Sequence, residues 1–307
     1  MIVAAYVLPH GGLALDPSHT EFTSSTDQQL AQSLHDSLIL SSQDVAEQNP
    51  DIIFLSTPHG FLDVDRFLVY LNHKAAGLAS PDNCKDAKNG SVDLSITLAA
   101  KESLDLVQHL KKSHKVSGIS VFGPPAGSSS PQIRLSADQS FDQTAMPLRW
   151  GEVIPLYFIP KMQDRRTIIL SHPSRRYDHP ETMIPELLHL GRSLFLQLDR
   201  LKERVVVIIS ADLAHTHQKD GPYGYSPSAQ AFDDAIGEWL QTLEPAPLLE
   251  TAATYVNEAL SCGYTGLVLL HGMLSEDGLR TWKPNLLINA HPTYYGMAIA
   301  SMKRSFN

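Results

Sequence analysis

Residues Pro180-Glu181-Thr182-Met183-Ile184-Pro185-Glu186-Leu187-Leu188-His189-Leu190-Gly191-Arg192-Ser193-Leu194-Phe195-Leu196-Gln197-Leu198-Asp199-Arg200-Leu201 lead, through Lys202-Glu203-Arg204, into Val205-Val206-Val207-Ile208-Ile209-Ser210. In the first part Met183, Leu187, Leu188, Leu194, Phe195, Leu198 and Leu201 recur at three- and four-residue spacing, which predicts a helix with one apolar face. Pro180 stands where a first helical turn tolerates it. The second part is a short, continuous apolar run, the pattern of a strand buried on both faces. A helix that delivers the chain into a buried strand is the repeating unit of an α/β layered sheet.

The same reading carried outward places strands at Ile2–Leu8, Asp51–Thr57, Gly118–Phe122, Val153–Ile159, Thr167–Leu170, Asn285–Asn289 and Gly296–Ser301. Helices are expected at Thr26–Ala46, Thr97–His114, Ser228–Thr242 and Gly263–Met273. The region 118–171 offers several strands without helices between them, so the sheet is expected to be mixed. Polar stretches 80–93 and 124–131 read as surface loops. No internal repeat is evident and neither loop resembles a linker, so residues 1–307 are expected to form one layered α/β/α domain.

Composition narrows the function. There are 24 Lys+Arg against 33 Asp+Glu, a formal charge of -9, and 14 histidines. No basic block is longer than a pair, as in Arg175-Arg176, which argues against nucleic-acid binding and against docking on an anionic membrane. The apolar N-terminus lacks a preceding basic residue and is interrupted at Pro9, so it fails as a signal peptide. No run approaches the roughly 18 apolar residues of a spanning helix. Two cysteines, Cys84 and Cys262, make no disulfide framework, and the expected home is the reducing cytoplasm.

Chemistry collects where strands end. Leu8-Pro9-His10-Gly11-Gly12 and Thr57-Pro58-His59-Gly60-Phe61 each follow an apolar strand. Ligands of open α/β sheets sit outside the carboxyl ends of the strands, so two histidines leaving adjacent parallel strands can converge on one point. Pro-His-Gly is also ordinary turn chemistry. A third exit, Ser210-Ala211-Asp212-Leu213-Ala214-His215, offers a general acid or base in His215 with Asp212 to orient it; the alternative is a helix cap with His215 incidental. Cys262 precedes Gly263 at a helix start, a place for a thiolate ligand or for a small buried hydrophobe. His172 follows another strand and either lines the same cleft or is a loop residue. Phosphate-loop and Gly-x-Ser-x-Gly spacings are absent, which removes the usual support for nucleotide binding and serine hydrolysis.

Two Pro-His-Gly motifs, Gly-x-x-x-Pro-Leu (Gly151–Leu156), Ser-x-Asp-Leu-x-His (Ser210–His215), Gly-Pro-Tyr-Gly (Gly221–Gly224) and Tyr-Gly-Met-Ala (Tyr295–Ala298) follow one another in an order that resembles the class III extradiol ring-cleavage dioxygenases. The resemblance is to the catalytic subunit of protocatechuate 4,5-dioxygenase and to the related Memo proteins, and it spans nearly the whole chain. It implies a mononuclear site in which two histidines and a glutamate hold Fe(II) while a catechol-type substrate and O2 meet on the metal. His10 and His59 match those histidines, and His215 matches the acid/base histidine. The glutamate position falls on Cys262 rather than Glu258, as in the Memo branch. A thiolate moves metal preference toward Zn or Cu, although Fe(II) remains feasible. Trp150 stands where these dioxygenases commonly carry histidine; it can stack on an aromatic substrate but cannot exchange protons.

The resemblance therefore implies an enzyme that opens catechol-type or aminophenol-type rings with O2. In it His10, His59 and Cys262 hold the metal, and His215 with Asp212 acts on protons. Trp150, His172 and Tyr295 contact a small aromatic substrate. Two other readings stay open: a Memo-like protein of metal handling, redox chemistry or partner binding, and a zinc hydrolase in which His215 activates metal-bound water. A homo-oligomer or a companion subunit is compatible with either.

Overall fold

Four parallel strands fill the middle of the sheet in the order β1 (Ile2–Leu8), β9 (Val205–Ser210), β2 (Ile52–Thr57), β8 (Arg166–Ser171). Every residue of β1, β2 and β9 is buried, as expected for strands covered on both faces. In β1, Ala5 and Val7 enter one core while Ala4, Tyr6 and Leu8 enter the other, the period of two that the pleat imposes. Helices Ile184–Asp199, Ser228–Thr242, Tyr264–Glu276 and Ala100–Leu110 cover the first face; helices Ser25–Glu47 and Trp150–Tyr157 cover the second. This computed structural model describes residues 1–22, 24–84, 90–122 and 145–305.

The sheet is mixed, but its antiparallel pairs lie elsewhere than expected. On one side β11 (Met297–Arg304) runs antiparallel to β1 and carries β10 (Trp282–Ala290). On the other side the free edge of β8 is shared. Its first residues pair with β5 (Val92–Leu98) and its last with β3 (Phe67–Tyr70). From there β4 (Lys74–Ala79) and β7 (Ala145–Leu148) continue beyond β5, while β6 (Val116–Ile119) pairs with β3.

Several expectations are corrected. Val153–Ile159 is not a strand but lies largely in the helix Trp150–Tyr157, whose Gly151–Leu156 segment is wholly buried. Such a run has neither helical nor strand periodicity. The start signal is instead the Arg149 N–H donating to Glu152 Oε2 at 2.9 Å, which closes the first turn. Thr97 and Leu98 belong to β5, so the helix expected from Thr97 begins at Ala100. The strand expected at Gly118–Phe122 sits earlier, at Val116–Ile119. Strands β3, β4, β5 and β7 were invisible to periodicity; β4, for one, is rich in alanine and has no β-branched residue. In the stretch 80–93, Pro81 is buried and Val92 already belongs to β5, and residues 85–89 lie outside the described residues. The stretch 124–131 lies outside them altogether. Most consequential for the site, β1 and β2 are not adjacent, because β9 lies between them.

Candidate metal centre

Because the four central strands run in parallel, their carboxyl ends deliver His10, Asp212, His59 and His172 to one end of the sheet. Cys262 joins from the turn before helix Tyr264–Glu276. One ligand atom each from His10, His59 and Cys262 lies within 4.8 Å of the others, and the same holds for Asp212, His215 and Cys262. Cys262 is thus the junction of two possible triads.

Ser210 fixes the orientation of His10. Its hydroxyl donates to the Gly151 carbonyl at 2.6 Å, so its oxygen accepts from His10 Nδ1–H at 2.8 Å. That tautomer leaves the Nε2 lone pair pointing inward, 3.2 Å from Cys262 Sγ and 3.3 Å from Asp212 Oδ2. The same Gly151 carbonyl accepts from Thr57 Oγ1 at 3.2 Å, and Thr57 Oγ1 accepts the His59 N–H at 3.2 Å. One carbonyl therefore ties together the loops of both histidines. A side chain at Gly151 would place its Cβ 2.8 Å from the Cβ of His59, so the Gly-x-x-x-Pro-Leu motif needs its glycine for this approach.

Asp212 holds the other two loops. Its Oδ1 accepts the N–H groups of His10 at 3.0 Å and Gly11 at 3.3 Å. Its backbone carbonyl accepts from Gly263 N–H and from Ser261 Oγ, both at 3.1 Å. Side chain and main chain of one residue therefore register the His10 loop against the Cys262 loop.

Electrostatics fit a cation. Burial drives His10 down to about 3 and His59 lower still, so both imidazoles are neutral and free to ligate. Burial, with Asp212 adding to it, pushes the Cys262 thiol up to about 12, so a metal must displace that proton as it binds. Asp212 itself is raised to about 6 by burial. A lone pair of His10, a carboxylate oxygen and a sulfur converge with no positive charge among them, an arrangement that a divalent cation satisfies.

Two cavities meet here. The larger, about 750 Å³, is lined by His10, His59, Trp150, Asp212, His215 and Tyr295 among others. The smaller, about 220 Å³, is lined by Cys262, Arg176, Leu260 and, shared with the larger, His59, His215 and Tyr223. Trp150 is partly exposed, and its ring lies 5.1 Å from that of His59. His215 stacks on Tyr295 with centroids 5.8 Å apart. Burial holds its imidazole below the ordinary range, against the opposing pull of Asp212 and of the Leu213 and Leu260 backbone. Tyr295 donates to Asp82 Oδ2 at 2.6 Å.

His172 is placed differently from the expectation. It is 1% exposed, and its nitrogens lie 2.7 Å from Ser56 Oγ and 2.9 Å from Thr265 Oγ1, outside the lining of both cavities. Glu258 also lies apart: it is bound by Ser226 and Ser228. Sequence reasoning missed Arg176, which lines the smaller cavity, and Asp82, Tyr223 and Tyr294, which line the larger. Of these only Tyr223 had a signal, within Gly-Pro-Tyr-Gly.

Residues 4–300 match the family of the catalytic LigB subunit of aromatic ring-opening dioxygenase. Protein CA_C1420 of Clostridium acetobutylicum is 25% identical over 237 residues, which cover 76% of this chain and 44% of that protein. The chain thus spans less than half the length of the curated relative it matches. The crystal structure of the uncharacterized protein JW3007 from Escherichia coli K12 superposes with a TM-score of 0.53 at 16% identity, covering 97% of this chain and 99% of that one, a likeness of fold alone. With the family matched over nearly its full length, the chain belongs to the LigB family, that of the class III extradiol dioxygenase catalytic subunits.

Proposed function

We propose that the protein is a mononuclear metal-dependent dioxygenase that opens catechol-type or aminophenol-type rings with O2. The observation that carries this reading is the convergence of His10, His59 and Cys262, of which the two histidines line a cavity together with Trp150, His215 and Tyr295 while Cys262 lines the smaller cavity that adjoins it. His10, His59 and Cys262 would hold the metal, Fe(II) for this chemistry, which would supply a template for substrate and O2 and Lewis acidity. The chain's own residues do the rest. Trp150 offers a flat face to the ring. His215, kept neutral by burial, accepts the proton of a substrate hydroxyl and returns it later, while Asp212 favours the imidazolium that forms. Tyr295, whose phenol burial keeps protonated, supports the His215 ring from one side.

Cys262 favours a second reading, a Memo-like protein that binds Zn or Cu and carries out no ring opening, because a thiolate suits those metals better than a carboxylate does. Anaerobic loading with Fe(II), followed by air and a panel of catechols and 2-aminophenols, separates the two. A yellow ring-opened product supports the dioxygenase. Tight Zn or Cu retention with no turnover of any substrate overturns it.

A further inference from the structure

Glu152 is wholly buried in the first turn of helix Trp150–Tyr157, yet it lines neither cavity. Each of its oxygens accepts a hydrogen bond. The Arg149 N–H donates to Oε2, and the Tyr70 hydroxyl, at the end of β3, donates to Oε1 at 2.8 Å. Tyr70 has a second bond, because its oxygen accepts the Phe61 N–H at 2.8 Å, and the Phe61 carbonyl accepts from Ser171 Oγ at 2.7 Å. Both backbone groups of Phe61, two residues after His59, are thereby held. Gly60 lies against the same cluster: an added Cβ would collide with the Tyr70 hydroxyl and sit 2.7 Å from both Glu152 Oε1 and Ser171 Oγ. The glycine of the second Pro-His-Gly motif is required by this packing.

The bonds form one path, from Phe61 N–H through the Tyr70 hydroxyl and the Glu152 carboxyl to Arg149 N–H. One end is two residues from His59 and the other is next to Trp150. Those two rings line the larger cavity with centroids 5.1 Å apart. An apolar residue in place of Glu152 would avoid the cost of desolvating a carboxyl, but it would accept from neither donor. The carboxyl joins two donors that are fixed to different loops.

We propose that Glu152 and Tyr70 are positioning residues that set the His59 imidazole and the Trp150 indole against each other, so that a change on either side of the carboxyl is felt on the other. This rests on the proposed function only for the ligand that each ring would meet. Both residues act through backbone, Tyr70 through Phe61 and Glu152 through Arg149. A purely local packing role would confine the effect of a substitution to its own side.

The test uses the full chain, without metal for fluorescence and with Zn alone for affinity. Trp239 and Trp282 are 0% and 3% exposed against 38% for Trp150, so iodide quenching reads Trp150, and Trp150→Phe identifies its share of the emission. Tyr70→Phe deletes one oxygen on the His59 side and leaves the Arg149 bond to Glu152 in place. It is expected to shift the Trp150 emission and alter its quenching, and to weaken Zn binding by about tenfold or more, as lost supporting contacts do. Glu152→Gln, which keeps one acceptor of two, is expected to do both. Ser171→Ala, which frees the Phe61 carbonyl, is read in the same way should circular dichroism show that Tyr70→Phe is unfolded. Wild-type Trp150 emission and quenching in the folded variant overturns the coupling, whatever happens to Zn. Altered Trp150 fluorescence with unchanged Zn affinity overturns the part assigned to His59. A response of both, in a protein that opens no ring, sustains the inference while removing the proposed reaction. Ring opening with a silent Tyr70→Phe does the reverse.

Discussion

His10 Nε2 lies 3.2 Å from Cys262 Sγ across a sequence separation of 252 residues. Neither group stabilises the other as a charge, since burial keeps the imidazole neutral and the thiol protonated. Their approach is best read as a ligand pair. His10→Ala and His59→Ala are each expected to abolish stoichiometric Zn or Fe(II) binding, while His215→Gln leaves it intact and removes turnover. Metal content by plasma emission spectroscopy decides, and full occupancy in His10→Ala would place the metal elsewhere.

Ser210→Ala tests the tautomer argument. Without the hydroxyl, His10 Nδ1 loses its acceptor and the Gly151 carbonyl loses one donor. Removing such a supporting partner typically costs about 10–100-fold in metal affinity. Competition with a chelating dye should show that loss, and unchanged affinity would mean that His10 is oriented by other contacts.

Gly263→Ala probes the last loop. An added Cβ would sit 2.6 Å from the Ala211 Cβ and 2.7 Å from the Asp212 carbonyl oxygen, so the backbone that carries Cys262 must move. Overpacking of this kind costs about 1–3 kcal/mol. Urea unfolding of the metal-free protein should register that cost, and the displaced thiol should weaken metal binding as well. A variant that loses stability but keeps wild-type affinity would show that the Cys262 position tolerates the shift.

His172 is one source of acid sensitivity that lies outside the candidate metal ligands. Burial holds His172 down at about 3, below its ordinary value near 6.5. The unfolded chain therefore takes up a proton below pH 6.5 that the folded protein refuses until about pH 3. Stability from this group is complete above 6.5 and falls as the pH drops toward 3, by on the order of 5 kcal/mol at most. His172→Gln, which can still bond Ser56 and Thr265, should flatten that part of the stability profile. Identical acid slopes in wild type and variant would contradict the burial argument.

The continuous apolar runs and the helices with one apolar face were legible in the sequence because burial on two faces or one leaves a plain pattern. The helix expected at Ser228–Thr242 is observed with those bounds. The helix at Trp150–Tyr157 was not legible, since a wholly buried segment has no polar side to set a period. At the site, residues on strand exits could be placed from their neighbours alone. Arg176 could not, because Pro58, whose carbonyl it donates to, and Cys262, beside which it lines the smaller cavity, are far from it in sequence and meet it only once the chain is folded. His172 shows the converse: a strand-exit histidine became a packed residue because Ser56 and Thr265, on other elements, occupy both its nitrogens.

The position of β9 has a consequence for how the protein is made. In the sheet β1 pairs with β11 and β9, and β2 pairs with β8 and β9. A chain emerging from the ribosome holds both histidine-bearing loops early, yet they have no common support until Val205–Ser210 inserts between them. Contacts of such long sequence separation form late and slowly. The metal site proposed on those two loops is therefore assembled only after β9 has joined the sheet.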